Sequence, residues 1–255
     1  MISLVKTIVV FTALSFASYQ DLRTREIDDR VWLVTIPVGA VLTALEILTT
    51  PGYPLLLLVF SLGLSVALAL GIGYIGLYGG ADAKALIAIA VTLPLPPYFH
   101  IDPSPFYALT VFGNAVILSL VLIPACAIWN SVWWIKRKRK RKRERERGGL
   151  FEGLKATGLQ KTAAFFTGVK VKSETAKSVH LNLLEKTSEN GVHYIKLFTR
   201  VTEDEEPKVI DKESKYVWAT PAIPMIVFFL FGFLLSFAAG DIILRIVQFF
   251  MGAMA

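Results

Sequence analysis

Charged residues are scarce in this chain, and their scarcity argues against an ordinary soluble fold. Only 18% of its 255 residues are charged and 54% are hydrophobic, whereas soluble domains usually carry about a quarter charged residues. A single cysteine, Cys126, excludes a disulfide framework and a four-cysteine zinc site. The three histidines are too scattered to indicate a histidine-based metal centre; they are His100, His180 and His193. We therefore expect a membrane protein.

One short run carries the positive charge of the chain. Residues 136–147 read KRKRKRKRERER, with ten basic and two acidic side chains. This local charge of +8 leaves −1 of the net +7 for all other residues, so nucleic-acid binding is not expected. The run is typical of a cytoplasmic segment, and it also suits anionic lipid headgroups, at about 1 kcal/mol per basic side chain.

Stretches with few or no charges recur along the chain at membrane-spanning length. Crossing the hydrocarbon layer takes about 20 apolar residues. The sequence predicts six transmembrane helices, at 2–20, 31–48, 55–77, 83–95, 105–135 and 221–250. Lys6 is expected to extend its ammonium from the first span toward the surface, and that span is expected to stay as an anchor. The predicted fold class is a polytopic α-helical membrane protein.

The one long polar segment predicts a small cytoplasmic α+β domain inserted between helices five and six. Residues 192–198 alternate with a period of two, as a half-buried strand does. Residues 179–184 are the expected hairpin partner, and 150–166 have a partly helical pattern. The predicted division is a membrane part at 1–135, a basic linker and cytoplasmic domain at 136–220, and a sixth transmembrane helix at 221–255.

The distribution of Lys and Arg predicts the orientation of the helices. The loop after the first span contains Arg23, Arg25 and Arg30, and the basic run follows the fifth span. The connections at 49–54 and 96–104 contain neither Lys nor Arg. Because basic loops stay in the cytoplasm, both termini are predicted to lie outside.

Two aspartates are placed where an acid–base pair would need them. Asp21 ends the first span and Asp82 begins the fourth, so both are predicted at cytoplasmic helix ends and at similar depth. Two carboxylates held a few ångströms apart share one proton, which is the chemistry of an aspartic protease. Matching depth does not establish proximity. Asp21 could instead pair with Arg23 or Arg25, and Asp82 could cap its helix.

The residues around both aspartates resemble the type IV prepilin peptidases, membrane aspartic proteases of the GxGD class, and in particular their archaeal preflagellin peptidase branch. The sequence reads DLRTREI from Asp21 and GGADAK from Gly79. In that family one catalytic aspartate lies in an Asp-Leu-Arg-like segment and the other in a GxGD-x-K segment. The resemblance therefore implies that Asp21 and Asp82 are catalytic. Ala81 replaces the second glycine of GxGD, as in the archaeal variant.

The resemblance also implies a reaction and a substrate. The expected enzyme is a membrane aspartic endopeptidase without metal or cofactor. Its expected substrates are archaellin or type IV pilin precursors with short basic class III signal peptides, cut at the cytoplasmic face before the substrate's hydrophobic helix. The cysteine-rich segment and the N-methylation of the bacterial relatives are not expected, because Cys126 is alone.

Three residues beside Asp82 are candidates for active-site support. Gly79 and Gly80 would give a substrate backbone access to the carboxylate, since they have no side chain. Lys84 either extends toward the surface from its helix start or tunes and orients Asp82. The family has a lysine at the same offset, which favours the second interpretation.

Five more residues are candidates for substrate binding. Glu26, Asp28 and Asp29 would attract the basic residues of the leader peptide, although a solvated acidic loop is the simpler interpretation. Pro221 and Pro224 open the predicted sixth span, as prolines commonly do at helix starts. They also resemble the Pro-Ala-Leu-type segment near the active site of presenilin-like proteases.

Two alternative functions share the same pair of aspartates. A presenilin-like intramembrane protease would cut inside the bilayer, but those enzymes have a tyrosine next to the first aspartate, and here Gln20 separates Tyr19 from Asp21. A proton-coupled transporter would move protons without cleaving peptides. The sequence shows little sign of the duplicated halves that transporters often have.

Overall fold

The protein is mostly helical, with a small region of β-sheet. The computed structural model describes residues 1–75, 79–97, 104–144, 150–151, 154–177, 181–187, 193–195 and 216–254. The α-helices within these residues are α1 (Ile2–Thr24), α2 (Arg30–Thr49), α3 (Leu55–Ile75), α4 (Gly80–Thr92), α5 (Tyr107–Ser119), α6 (Leu122–Glu144), α7 (Gly158–Thr167), α8 (Met225–Ala239) and α9 (Ile242–Met254). The strands are β1 (Leu154–Lys155), β2 (Val169–Lys172), β3 (Leu181–Leu183), β4 (Glu185–Thr187), β5 (His193–Ile195) and β6 (Tyr216–Pro221). His100, His180 and residues 145–147 of the basic run lie outside the described residues.

Several helices are long and apolar enough to cross a membrane. Among the described residues there are four, Ile2–Thr24, Arg30–Thr49, Leu55–Tyr74 and Tyr107–Lys138. A fifth is counted if α8 and α9, which are bent by 49° relative to each other, form one broken span. The multi-pass character of the protein is thereby supported, whereas the count of six stays a prediction. α4 has only 13 residues, about 20 Å of helix against a hydrocarbon layer of about 30 Å.

The chain forms two compact units, and the first contains most of the helices. It consists of Met1–Ser119 and Pro224–Ala255. Within it α4 is the central helix, packed against α1, α2, α3, α5 and α8, and the side chains of Leu86 and Ile89 are almost completely buried. A helix that is apolar on all sides belongs in such a position. Asp82, at its start, is therefore attached to the most enclosed element of the unit.

Lys6 does not extend toward the surface, so that prediction is wrong. Its ammonium lies 2.7 Å from Oε2 of Glu46 on α2, and the two side chains are only 2% and 10% exposed. The pair borders a small cavity that Ser3 and Thr50 also line. Because an isolated buried charge is very costly, a carboxylate within reach on the next helix is a better partner for Lys6 than a distant surface.

The predicted helix at 221–250 is not continuous. Pro221 belongs to strand β6 opposite Leu181, and α8 begins only at Met225, with Pro224 as its N-cap. α8 then ends at Gly240, whose φ of 65° most side chains rarely adopt. Apolar composition predicted the span, but hydropathy does not register these interruptions.

Buried polar side chains hold the break between α8 and α9. Asn114 of α5 donates to the Gly240 carbonyl at 2.8 Å and accepts from the Ile242 amide at 3.1 Å. Asp241 accepts from the Leu244 amide at 2.9 Å, so it caps the start of α9. The backbone groups that a bend leaves without helical partners are thus satisfied by side chains.

The second unit, Leu120–Ile223, contains the sheets. One sheet has the order β2-β6-β3 and is antiparallel, and the other has the order β1-β5-β4. Of the strand predicted at 192–198, the structure describes His193–Ile195, which form β5, and their antiparallel partner is β4. Of the expected partner at 179–184, the described strand residues Leu181–Leu183 form β3, which pairs with β6 in the other sheet. The rings of Trp218 on β6 and Phe151 stack at 4.7 Å in the core of this unit.

Asn130 of α6 ties that helix to the rest of the second unit. Its side-chain amide donates to the carbonyls of Phe165 and Gly168 at 2.8 and 2.7 Å and accepts from the Lys170 amide at 3.1 Å. The side chain is completely buried. The N-terminal part of α6, predicted to belong to the fifth span, therefore contributes to the packing of the sheet-containing unit.

Candidate active site

Asp21 lies in the last turn of α1 and is 8% exposed. α1 ends at Arg25, which has a left-handed backbone with φ of 62° and donates its amide to the Asp21 carbonyl. The Arg25 guanidinium lies 3.4 Å from Oδ1 of Asp21. Arg23, the other partner considered from the sequence, donates to the hydroxyl of Tyr19 at 2.8 Å. The helix end therefore holds a nearly buried carboxylate with a cation beside it.

Asp82 lies in the first turn of α4 and is not its N-cap. The N-cap is Gly79, and the Gly79 amide donates to Oδ2 of Asp82 at 3.0 Å. The Asp82 amide in turn donates to the Gly79 carbonyl at 3.0 Å. This reciprocal contact is half of a capping box. It fixes the side chain of Asp82 at the helix start, where the helix dipole also favours a negative charge.

The fold brings α1 and α4 into contact. Asp21 lies in the last turn of α1 and Asp82 in the first turn of α4, 61 positions apart in sequence. The packing of α4 inside the helical unit therefore joins the two helices that carry these carboxylates. Two carboxylates held a few ångströms apart do not both ionise easily, and such a pair favours a shared proton.

The glycines next to Asp82 have few close neighbours in the part of the chain that the structure describes. Among those atoms, a Cβ built at Gly80 would meet none within 4 Å, and one built at Gly79 would meet only Oδ2 of Asp82, at 3.7 Å. Within the described residues, close helix packing therefore does not require a glycine at either position. The access of a substrate backbone to Asp82 beside these glycines stays a prediction.

Lys84 contacts the acidic loop that follows α1. Its ammonium lies 2.6 Å from Oδ1 of Asp29, which precedes α2. Asp28 lies 3.9 Å from the Arg30 guanidinium and accepts from the Arg30 amide at 2.9 Å, and Glu26 is exposed. The sequence missed the pairing of Lys84 with Asp29. A lysine and a carboxylate 55 positions apart carry no local signal of contact.

The two prolines lie in different units. Pro221 is in β6, whereas Pro224 begins the returning part of the helical unit. In the first turn of α8, the Ile226 carbonyl accepts a hydrogen bond from Ser18 of α1 at 3.3 Å. Ser18 is one turn before Asp21, so the start of α8 packs near the Asp21 end of α1. The sequence did not identify Ser18.

The described residues also show what the site does not contain. Within them, no three His, Cys, Asp or Glu side chains come together as metal ligands would. The acid–base groups that the site does present are the two carboxylates and the cations beside them. That the enzyme uses no metal or cofactor stays a prediction.

Sequence comparisons place both halves of the chain in one family. Residues 8–129 match the type IV leader peptidase family, and residues 160–242 match the C-terminal region, type II, of archaeal A24 peptidases. The preflagellin peptidase of Methanococcus voltae is 26% identical over 92% of this chain and 94% of its own length. That of Methanocaldococcus jannaschii is 26% identical over 95% and 97%. The chain is thus a peptidase that belongs to the archaeal branch of the type IV leader peptidase family.

Proposed function

We propose that this peptidase is an aspartic endopeptidase in which Asp21 and Asp82 form the catalytic pair. The observation that carries the proposal is the contact between α1, which has Asp21 in its last turn, and α4, which has Asp82 in its first turn. Asp21 is nearly buried and Asp82 is held by the Gly79 amide. Both features favour a fixed geometry for the shared proton.

The chemistry follows from the unequal protonation of such a pair. The ionised carboxylate accepts a proton from a water molecule, and the water oxygen attacks the peptide carbonyl carbon. The protonated carboxylic acid donates its proton to the carbonyl oxygen as the tetrahedral intermediate forms. When the C–N bond breaks, the leaving nitrogen takes the proton that the first carboxylate accepted from water, and a hydroxyl of the intermediate returns a proton to the other carboxylate as the carboxyl product forms, so the pair returns to its starting state. General acid–base groups of this kind contribute roughly 10²- to 10⁴-fold to a rate.

The proposed substrates are precursors of archaellins or type IV pilin-like proteins. The curated relatives are named preflagellin peptidases, and their names suggest the class of precursor. Glu26, Asp28 and Asp29 lie in the connection that follows α1, a few residues after Asp21, and are exposed. We propose that these carboxylates attract the basic residues of a class III leader peptide as the scissile bond reaches Asp82.

The proposed orientation puts the catalytic pair at the cytoplasmic side, with both termini outside. It rests on the basic residues near Asp21 and on the run at 136–147. Part of that run continues α6, and Arg137 lies over the ring of Tyr216 at 4.3 Å, Lys138 over that of Trp134 at 5.3 Å. Cations beside aromatic rings suit a membrane interface, and we propose that the run also binds anionic lipid headgroups.

The decisive experiment replaces each aspartate by its isosteric amide. Asp21→Asn and Asp82→Asn are purified in detergent and incubated with a precursor that has a class III leader, and the N-terminus of the product is sequenced. We expect processing to fall by at least about 10²-fold in each variant. Glu174→Gln is the matched control, since Glu174 is an exposed carboxylate of the other unit. Substantial processing by either aspartate variant contradicts the proposal.

A further inference from the structure

The ion pair between Lys84 and Asp29 is unusual in its position. Lys84 follows Asp82 by two residues on α4, and Asp29 is one of the three carboxylates proposed to attract the leader. The ammonium and carboxylate are 2.6 Å apart, yet their side chains are 45% and 63% exposed. A cation of the chain itself, two residues after Asp82, therefore occupies an exposed carboxylate of the connection that follows α1, where a peptide can reach it.

We infer that Lys84 is a specificity-determining residue that competes with the basic side chain of a leader peptide for Asp29. This inference rests on the proposed function. In the free enzyme Lys84 occupies Asp29, and a leader lysine or arginine replaces it as the scissile bond reaches Asp82. The exchange requires no change in backbone, because both partners of the existing pair are at the surface.

The energetics of exposed ion pairs make the exchange feasible. Such pairs are worth little, because water screens the attraction and two flexible side chains must be ordered. A leader cation that takes Asp29 gains about what Lys84 loses. The pair of Asp28 with Arg30 is less suited to such an exchange. Its charged groups are 3.9 Å apart, and Arg30 is not on the helix that carries Asp82.

The competition has a consequence for turnover. Without Lys84, Asp29 would hold both the precursor and the released basic leader more tightly. With Lys84 present, the internal cation returns to Asp29 as the cleaved leader departs. Lys84 therefore lowers the affinity for basic leaders in general and limits inhibition by the product.

The test compares two precursors that differ only in the residue before the scissile bond, Lys in one and Gln in the other. Full-length Lys84→Met in detergent is expected to lower KM for the Lys precursor roughly two- to five-fold. The KM for the Gln precursor and both kcat values stay unchanged. Inhibition by the free Lys leader strengthens by the same factor, and in an Asp29→Asn background the substitution has no effect on KM.

Arg23→Met is the matched control. It removes one positive charge from the same end of the helices, but the Arg23 guanidinium binds the Tyr19 hydroxyl and not a carboxylate. We expect this variant to keep the wild-type ratio of the two KM values. Lys84→Arg retains the cation and is expected to keep that ratio as well, and Lys84→Gln repeats the test with a second neutral side chain.

Three results would overturn the inference. A fall in kcat for both precursors alike would show that Lys84 positions α4 and does not determine specificity. An equal fall in KM in Lys84→Met and Arg23→Met would show that the effect is one of overall charge. Unchanged KM values in both Lys84→Met and Lys84→Gln would show that Lys84 does not compete with the leader for Asp29. Failure of the wild-type protein to cut either precursor would instead refute the proposed function, and the inference with it.

Discussion

Among its described residues, the first unit has two lysine–carboxylate pairs that join its helices, and they differ mainly in their surroundings. Lys6–Glu46 is 2.7 Å long with side chains 2% and 10% exposed, and Lys84–Asp29 is 2.6 Å long with side chains 45% and 63% exposed. The first links α1 to α2, and the second links the residue before α2 to α4. Lys6 lies 15 residues before Asp21, about 22 Å along α1. The same chemistry thus occurs near the proposed catalytic pair and far from it.

The comparison shows that burial decides what an ion pair can do. A buried pair cannot exchange partners, because breaking it leaves a charge without compensation away from water. An exposed pair exchanges readily, since water and ions replace either partner. Lys6–Glu46 is therefore suited to holding α1 and α2 together, and Lys84–Asp29 is suited to a contact that a substrate replaces.

The largest expected effect comes from breaking the buried pair. Glu46→Gln leaves the Lys6 ammonium without a carboxylate and is expected to cost about 3–5 kcal/mol of unfolding free energy. For a chain of this size that corresponds to a Tm lower by about 6–20 °C, measured by thermal unfolding in detergent. The double variant Lys6→Met/Glu46→Met is expected to recover most of the loss, because neither charge remains. A single variant as stable as the wild type would show that the pair does not hold the helices.

A smaller effect is expected at a buried contact without formal charge. Asn114→Ala leaves the Gly240 carbonyl and the Ile242 amide without their partner at the α8–α9 break, at a cost of about 1–3 kcal/mol. Ser119→Ala on the same helix is the control, since the side chain of Ser119, among the described residues, donates within α5, to the Val116 carbonyl. Equal Tm values for these two variants would mean that the break does not depend on Asn114.

The smallest effect on stability is expected at the exposed pair. Lys84→Met is expected to change the unfolding free energy by less than about 1 kcal/mol, and Tm by only a few degrees. The difference from the wild type should shrink further at high salt, because salt screens exposed charges. A loss as large as that of Glu46→Gln would remove the contrast between the two pairs and point to a structural role for Lys84.

Hydropathy was sufficient to predict the long helices but not their interruptions. α1, α2 and α3 begin and end within a few residues of the predicted spans, because a bilayer demands an apolar run of nearly fixed length. The helix predicted at 221–250 is divided by Pro221, Gly240 and the Asn114 contacts. The pairing of Pro221 with β3 and the contacts of Asn114 from α5 are tertiary interactions. A count of apolar residues along the sequence does not detect them.

The short strands of the second unit were less predictable. The alternation around His193–Ile195 indicated β5, yet the choice of β4 as its antiparallel neighbour depends on the packing of Trp218, Leu184 and Ile195 in one core. A strand of three residues is too short to show an alternation of apolar and polar residues that identifies its partner. Register and partner are therefore decided by side chains that meet across the sheets.

The amino-acid sequence by itself determined that this is a membrane protein of the leader peptidase family, because apolar length and the residues flanking Asp21 and Asp82 are local properties. Only the tertiary structure decided that α4 lies among the other helices, that Lys6 pairs with Glu46 and that Lys84 pairs with Asp29. The two ion pairs join residues that are 40 and 55 positions apart. Such contacts are selected by the cost of leaving a charge unpaired within a packed structure, and that cost arises only once the helices are assembled.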